Sequence, residues 1–259
     1  MERLGNPNKR TGITVTALRT WGMLFLAAGV ISRGLIQNHL LGFTGMDPMQ
    51  MLSVLESSKS AMGLVTISIA LQALETCAAP IFAILLVEGV QRTSNFRNYF
   101  LRVFGLALLT EIPYNMAVGQ GILDFGSRNP VFALVLGMLL IYFYRRYSAK
   151  GIKNVLIRVL VTVAALLWTK MLSIHFGAPT VLLLAVLWAF RTKPGYRNFA
   201  GVSAAICCCL FDPLFMLSPM GFVAIHTCNW EKGEENRLLN YLMYPAMLLA
   251  AAALGMFLL

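Results

Sequence analysis

From Ile13 onward the chain alternates long apolar stretches with short segments that carry most of its charge. The stretches lie at about 13–36, 60–90, 98–118, 130–146, 152–171, 175–190, 198–211, 213–229 and 238–258. About 20 apolar residues take a helix across a bilayer core. Composition agrees with that reading. The chain is 58% hydrophobic and only 12% charged, with a mean hydropathy of +0.71, where a soluble domain carries roughly 45–50% apolar and about 25% charged residues. Too few polar groups remain to cover a water-facing surface. This excludes an ordinary soluble enzyme, a disordered chain and a nucleic-acid-binding module. The expected fold is all-α, a polytopic transmembrane helix bundle of about nine spans (range 8–10). No repeat, low-complexity segment or linker divides it, so residues 1–259 read as a single transmembrane domain.

Charge placement orients the bundle. Lysine and arginine outnumber the carboxylates 21 to 11, and in a membrane protein such an excess collects in cytoplasmic loops. The run 60–90 could be two short spans or one span bent at Pro80. Taken as one crossing, with a cytoplasmic amino terminus and an uncleaved first helix, it puts 17 of the 21 cations on the cytoplasmic side. Arg33, Lys59, Arg128 and Lys170 fall outside. Two crossings would invert every later loop and erase the asymmetry. Residues 37–59 read as an exposed segment with a short interfacial helix, and Asp212-Pro213 separates two short runs.

Ionisable residues inside a span are costly, so each marks a functional site or a buried pair. The clearest are Glu75, Glu88, Arg102, Glu111 and His226. Glu88 has Arg92 one turn away, a spacing that suits an ion pair. Glu111 lies beside Pro113, which frees a backbone carbonyl; such a carboxylate could bind a substrate amine or satisfy a neighbouring helix. His39 and His175 fall at the outer face and His226 near the inner one. Each is a candidate general base or a structural histidine. Asp212 and Arg128-Asn129 sit at outer span ends. Cys77, Cys207, Cys208, Cys209 and Cys228 lie in apolar runs without metal-ligand or disulfide-framework spacing.

Residues 80–115, PIFAILLVEGVQRTSNFRNYFLRVFGLALLTEIPYN, carry an ordered set of polar positions within apolar helices: Pro80, Phe82, Glu88, Gly89, Thr93, Asn95, Tyr99, Arg102, Thr110, Glu111, Ile112 and Pro113. The pattern continues in Asn129 to Phe132, Gly137, Asn229, Gly233 and Tyr244-Pro245. It resembles the TraX family signature over residues from about 75 to about 250. The resemblance implies an integral-membrane acetyltransferase in a bacterial-type plasma membrane, using acetyl-CoA as co-substrate and no metal. The implied acceptor is an amine, such as the amino terminus of a conjugative pilin-like peptide, or a hydroxyl. Candidate catalytic residues are then Glu88, Glu111, His175 and His226. Arg92, Asn95, Arg102, Asn129, Asn229 and Tyr244 are candidates for binding substrate or acyl-CoA. The basic face with Arg92, Arg97, Arg102, Arg145 and Arg146 could attract coenzyme A phosphates or serve orientation alone.

The chain departs from the family pattern at three points. No Asp-His pair stands on the first helix, Tyr244-Pro245-Ala246-Met247 lacks the usual final histidine, and Tyr114-Asn115 replaces Phe-Asp. His39, His175 or His226 would have to supply a base. The competing reading is a small-molecule transporter or a catalytically inactive membrane partner. Interruptions at Pro80, Pro113 and Pro213 suit a transporter, but the chain lacks the matched halves often found in one.

Overall fold

The computed structural model describes residues 12–43, 45–119, 121, 124, 126–233 and 237–257. The basic head with Arg3, Lys9 and Arg10 lies outside the described residues. Thr14 starts the first helix by accepting the Ala17 N–H at 3.2 Å, which satisfies one of the donors a helix start leaves open. Helix α1 (Val15–Val30) runs directly into a π-helical segment, Ile31–Leu40. Wide π turns of this kind are rare and are frequent at functional sites. The short helix expected within 37–59 is α2 (Pro48–Ser57), started by an Asp47/Gln50 capping box.

The apolar run 60–90 is broken, and not at its proline. It forms α3 (Lys59–Glu75) and α4 (Ala78–Arg92), separated at Thr76-Cys77. Pro80 lies in the first turn of α4, where its missing N–H costs nothing. The remaining helices are α5 (Phe96–Val118), α6 (Val131–Arg146), α7 (Ile152–Met171), α8 (Gly177–Ala189), α9 (Pro194–Cys207), α10 (Gly221–His226) and α11 (Arg237–Phe257). The 213–229 run is a 3₁₀ segment, Pro213–Met220, followed by the short α10. Asp212 caps it, its carboxylate accepting the Leu214 N–H at 2.9 Å. Among the described residues there is no strand, and the fold is an all-α bundle.

Helix α8 sits at the centre, packed against α4, α6, α7 and α9. Nine of its 13 residues are buried, as expected of a helix apolar all round. Helix α5 pairs with α11, while α1 and the π segment pack on α3. The outside of the bundle is apolar too. Helix α7 turns Val155, Leu156, Val159, Leu160, Val163 and Leu167 outward, far more exposed apolar surface than a water-soluble monomer carries. Val15–Leu40, Lys59–Arg92 and Ile152–Met171 are long and apolar enough to cross a bilayer. The chain is a helical membrane protein. Shorter apolar helices at Gly177–Ala189, Pro213–His226 and Tyr241–Phe257 accompany these segments.

Candidate functional site

A cavity of about 550 Å³ runs between α1, α4, α5, α8 and α11. On α4 it is lined by Ala78, Ala79, Phe82, Leu85, Leu86, Gly89 and Arg92. That stripe repeats at helical spacing over the whole helix, about 21 Å at 1.5 Å per residue. Its two ends differ in chemistry. Arg19, Glu88, Arg92, Arg102 and Lys232 stand with Tyr99, Trp230 and Tyr241 at one end. The bore beyond is apolar, with Met23, Leu26, Val103, Leu106 and Leu134. Pro130, Phe176, Thr180 and Tyr244 line the other end.

Glu88 holds the charged mouth together. It accepts from Arg197 at 2.5 Å and lies 3.6 Å from Arg92, the partner expected from spacing. Arg197 is 4% exposed and belongs to α9, so the stronger bond joins helices distant in sequence. Gly89 clears space for the Tyr99 hydroxyl, which would lie 2.5 Å from a Cβ there. Asn95 does not line the cavity; its side chain caps α5 by accepting the Asn98 N–H at 3.1 Å.

Next to the Phe176 and Tyr244 end lies a polar cluster. Arg33, from the π segment, places two N–H groups on the two oxygens of Glu75, both at 2.7 Å. Glu75 is 1% exposed. A planar two-point contact is the geometry by which arginine best compensates a buried carboxylate. His175 brings Nε2 to 3.5 Å from Glu75 Oε1. It lies in the connection between α7 and α8, outside the spanning segments. Burial, then the Arg33 guanidinium, holds its imidazole below the usual 6.5, although Glu75 pulls it up. The connection is pinned from both sides: Arg128 N–H donates to Ser173 O and His175 N–H to Arg128 O, each at 2.9 Å. Ser173 and Phe176 adopt φ of 50° and 54°, a region that bulky residues occupy only when their surroundings compel it.

That pinning sets Arg128 and Asn129 beside His175. Glu111 accepts from Arg128 Nη1 and from the Asn129 N–H, each at 3.2 Å. Asn129 Nδ2 donates to Thr110 Oγ1. Asn129 Oδ1 accepts from the Val131 N–H at 2.9 Å and from the Tyr244 hydroxyl at 3.2 Å. Helix α5 continues through Pro113, and Glu111 satisfies the α6 entrance. Thr180 is different from its neighbours. Thr20, Thr66, Thr110, Thr162 and Thr169 return their hydroxyls to carbonyls of the preceding turn. The hydroxyl of the buried Thr180 makes no such bond among the described residues, and Thr180 lines the cavity.

Of the residues singled out in sequence, Glu88, Arg92, Arg102 and Tyr244 line the cavity. Glu111, Asn129 and His175 belong to the adjoining cluster. His226 is exposed at the end of α10, away from both. His39 packs on Gly255 of α11. Asn229 closes a turn, its Oδ1 accepting the Glu231 N–H at 3.0 Å. Sequence reasoning marked Glu75 as a functional site or buried pair without naming its partner, and did not assign site roles to Arg33, Thr180, Arg197 or Trp230. For Arg33 and Glu75 the signal was available: opposite charges within apolar segments on the same half of the bundle. Among the described residues, no group of three or more His, Cys, Asp or Glu could hold a metal, and the five cysteines are free.

No curated protein and no solved structure matches the chain. The family model described as TraX protein matches residues 48–255, which hold most of the cavity wall, Glu75, His175 and the 80–115 signature. With the greater part of its length matched in this way, the chain belongs to the TraX family.

Proposed function

We propose that this protein is a multi-pass acyltransferase of a bacterial-type plasma membrane, with its amino terminus and basic loops cytoplasmic. It passes an acyl group, acetyl in the simplest case, from acyl-CoA to an amine or hydroxyl. The cavity carries this reading. Its cationic mouth suits the coenzyme A phosphates, its apolar bore suits an extended arm, and His175, paired with Glu75, adjoins the lining residue Phe176. The acceptor's proton passes to His175 at Nδ1, the nitrogen turned from Glu75. The nucleophile bonds the acyl carbon, and the Thr180 hydroxyl donates to the resulting oxyanion. The carbon–sulfur bond then breaks, and the departing thiolate takes the proton from His175. Glu75 stabilises the transient imidazolium and is itself held ionised by Arg33. The acceptor class includes a pilin-like amino terminus, which would tie the protein to conjugation.

The test is direct. Detergent-purified protein is incubated with acetyl-CoA and a panel of amines, hydroxyl compounds and peptides with free amino termini. Thiol release and product mass are then measured. Acylated product that is lost on His175→Asn supports the reading. Absence of acetyl-CoA binding at millimolar concentration would sink it.

A further inference from the structure

Trp230 lines the mouth of the cavity with its backbone in the left-handed region, φ 59°. A bulky aromatic stays there only where its neighbours over-determine it, and both neighbours of Trp230 are tied down. The Asn229 N–H donates to Ile13 O at 2.9 Å, and Glu231 O accepts the Val15 N–H at 3.0 Å. Asn229 Oδ1 then bridges over Trp230 to the Glu231 N–H at 3.0 Å. The indole is backed as well. The Arg197 guanidinium stands 5.4 Å from its ring centroid, is anchored to Glu88 and does not itself line the cavity. Trp230 also packs against the core and lines the mouth together with Arg19, Arg92, Arg102 and Lys232.

A fixed aromatic plane ringed by cations is the chemistry that recognises a nucleotide. The base stacks on the ring, and the phosphates meet guanidinium and ammonium groups. A lipid headgroup would use the cations and leave the plane idle. We infer that Trp230 is the stacking platform for the adenine of a coenzyme A donor, with Arg19, Arg92, Arg102 and Lys232 around its phosphates. Asn229 is a positioning residue that holds the platform. This assignment rests on the acyl-CoA reading of the cavity.

The test separates the nucleotide from the arm. Purified protein is titrated calorimetrically with acetyl-CoA and with S-acetylpantetheine, which has the arm but neither adenine nor its phosphates. Trp230→Leu should weaken acetyl-CoA binding about tenfold or more and leave S-acetylpantetheine unchanged. Trp230→Phe, which keeps a ring, should retain most of the affinity. Adenosine 3′,5′-bisphosphate should compete with acetyl-CoA on the unmodified protein and lose that ability on Trp230→Leu. Unchanged acetyl-CoA affinity in Trp230→Leu, or an equal loss for both ligands, overturns the platform and leaves the donor reading standing. If the unmodified protein binds neither ligand, the donor reading falls and the platform with it.

Discussion

Arg33, on the π-helical extension of the first helix, donates two parallel bonds of 2.7 Å to Glu75, the last residue of α3. The break at Thr76-Cys77 ends α3 at the carboxylate, and the π turns carry the guanidinium to it. Removing one partner leaves the other charge buried and uncompensated, at a cost of about 3–5 kcal/mol. Arg33→Met and Glu75→Gln should therefore each lower the thermal midpoint strongly. The double variant should be less destabilised than the sum of the two, a coupling read from four melting curves in one detergent.

Gly29 makes that pair possible. A Cβ at position 29 would lie 1.9 Å from the Glu75 carboxyl carbon, so Gly29→Ala must displace the carboxylate or spread α1 from α3. Overpacking of this kind costs about 1–3 kcal/mol. The loss should shrink when Glu75 is already Ala, because the clash is then gone. Equal losses in the two backgrounds would mean that the helices are held apart by something else.

His175 gives the proposed reaction its pH dependence. In the folded protein the imidazole is held below 6.5, so it is neutral and able to accept a proton at neutral pH. Acyl transfer should be flat around neutrality and fall on the acid side, with its limb below pH 6.5. Stability moves in the same direction. Below 6.5 the unfolded chain binds a proton that the folded one resists, so stability falls as pH falls. His175→Asn should remove this limb from both the rate and the melting profile.

Thr180 and Tyr244 are separated by what their hydroxyls already do. The Thr180 hydroxyl makes no bond within the described protein, so Thr180→Val should change stability by less than about 1 kcal/mol while lowering acyl transfer. The Tyr244 hydroxyl donates to Asn129 Oδ1, so Tyr244→Phe should cost about 1 kcal/mol of stability in addition to any kinetic effect. A Thr180→Val variant with unchanged kcat/KM would remove Thr180 from the chemistry.

The helical character of the protein was legible in its apolar runs. The 152–171 run was placed at its observed bounds, and 98–118 and 130–146 within two residues. A long run satisfies its own backbone wherever it sits, so local composition suffices. The break inside 60–90 was misplaced for the opposite reason. Pro80 announces itself in sequence, but it can occupy the first turn of a helix without disturbance, and the interruption falls at Thr76-Cys77 instead. The 198–211 and 213–229 runs were read as two spans. They form a 14-residue helix with a 3₁₀ turn and a 3₁₀ segment with one short helix, because apolarity reports burial and not the winding of the backbone.

Glu88 shows most clearly how the site divides between sequence and structure. Its neighbour Arg92 was visible at four residues' spacing, and the pair is there at 3.6 Å. The stronger partner, Arg197, stands 109 residues away, and no local spacing points to it. The same holds for Arg33 with Glu75 and for Tyr244 with Asn129. By itself the sequence determined a lipid-dissolved helical chain, its scarcity of buried charge and its family. Which buried charges meet, which face of α4 lines a cavity, and where Trp230 is clamped were decided only by tertiary structure. A buried ion pair has no sequence period; its partners are chosen by the packing that excludes water from around them.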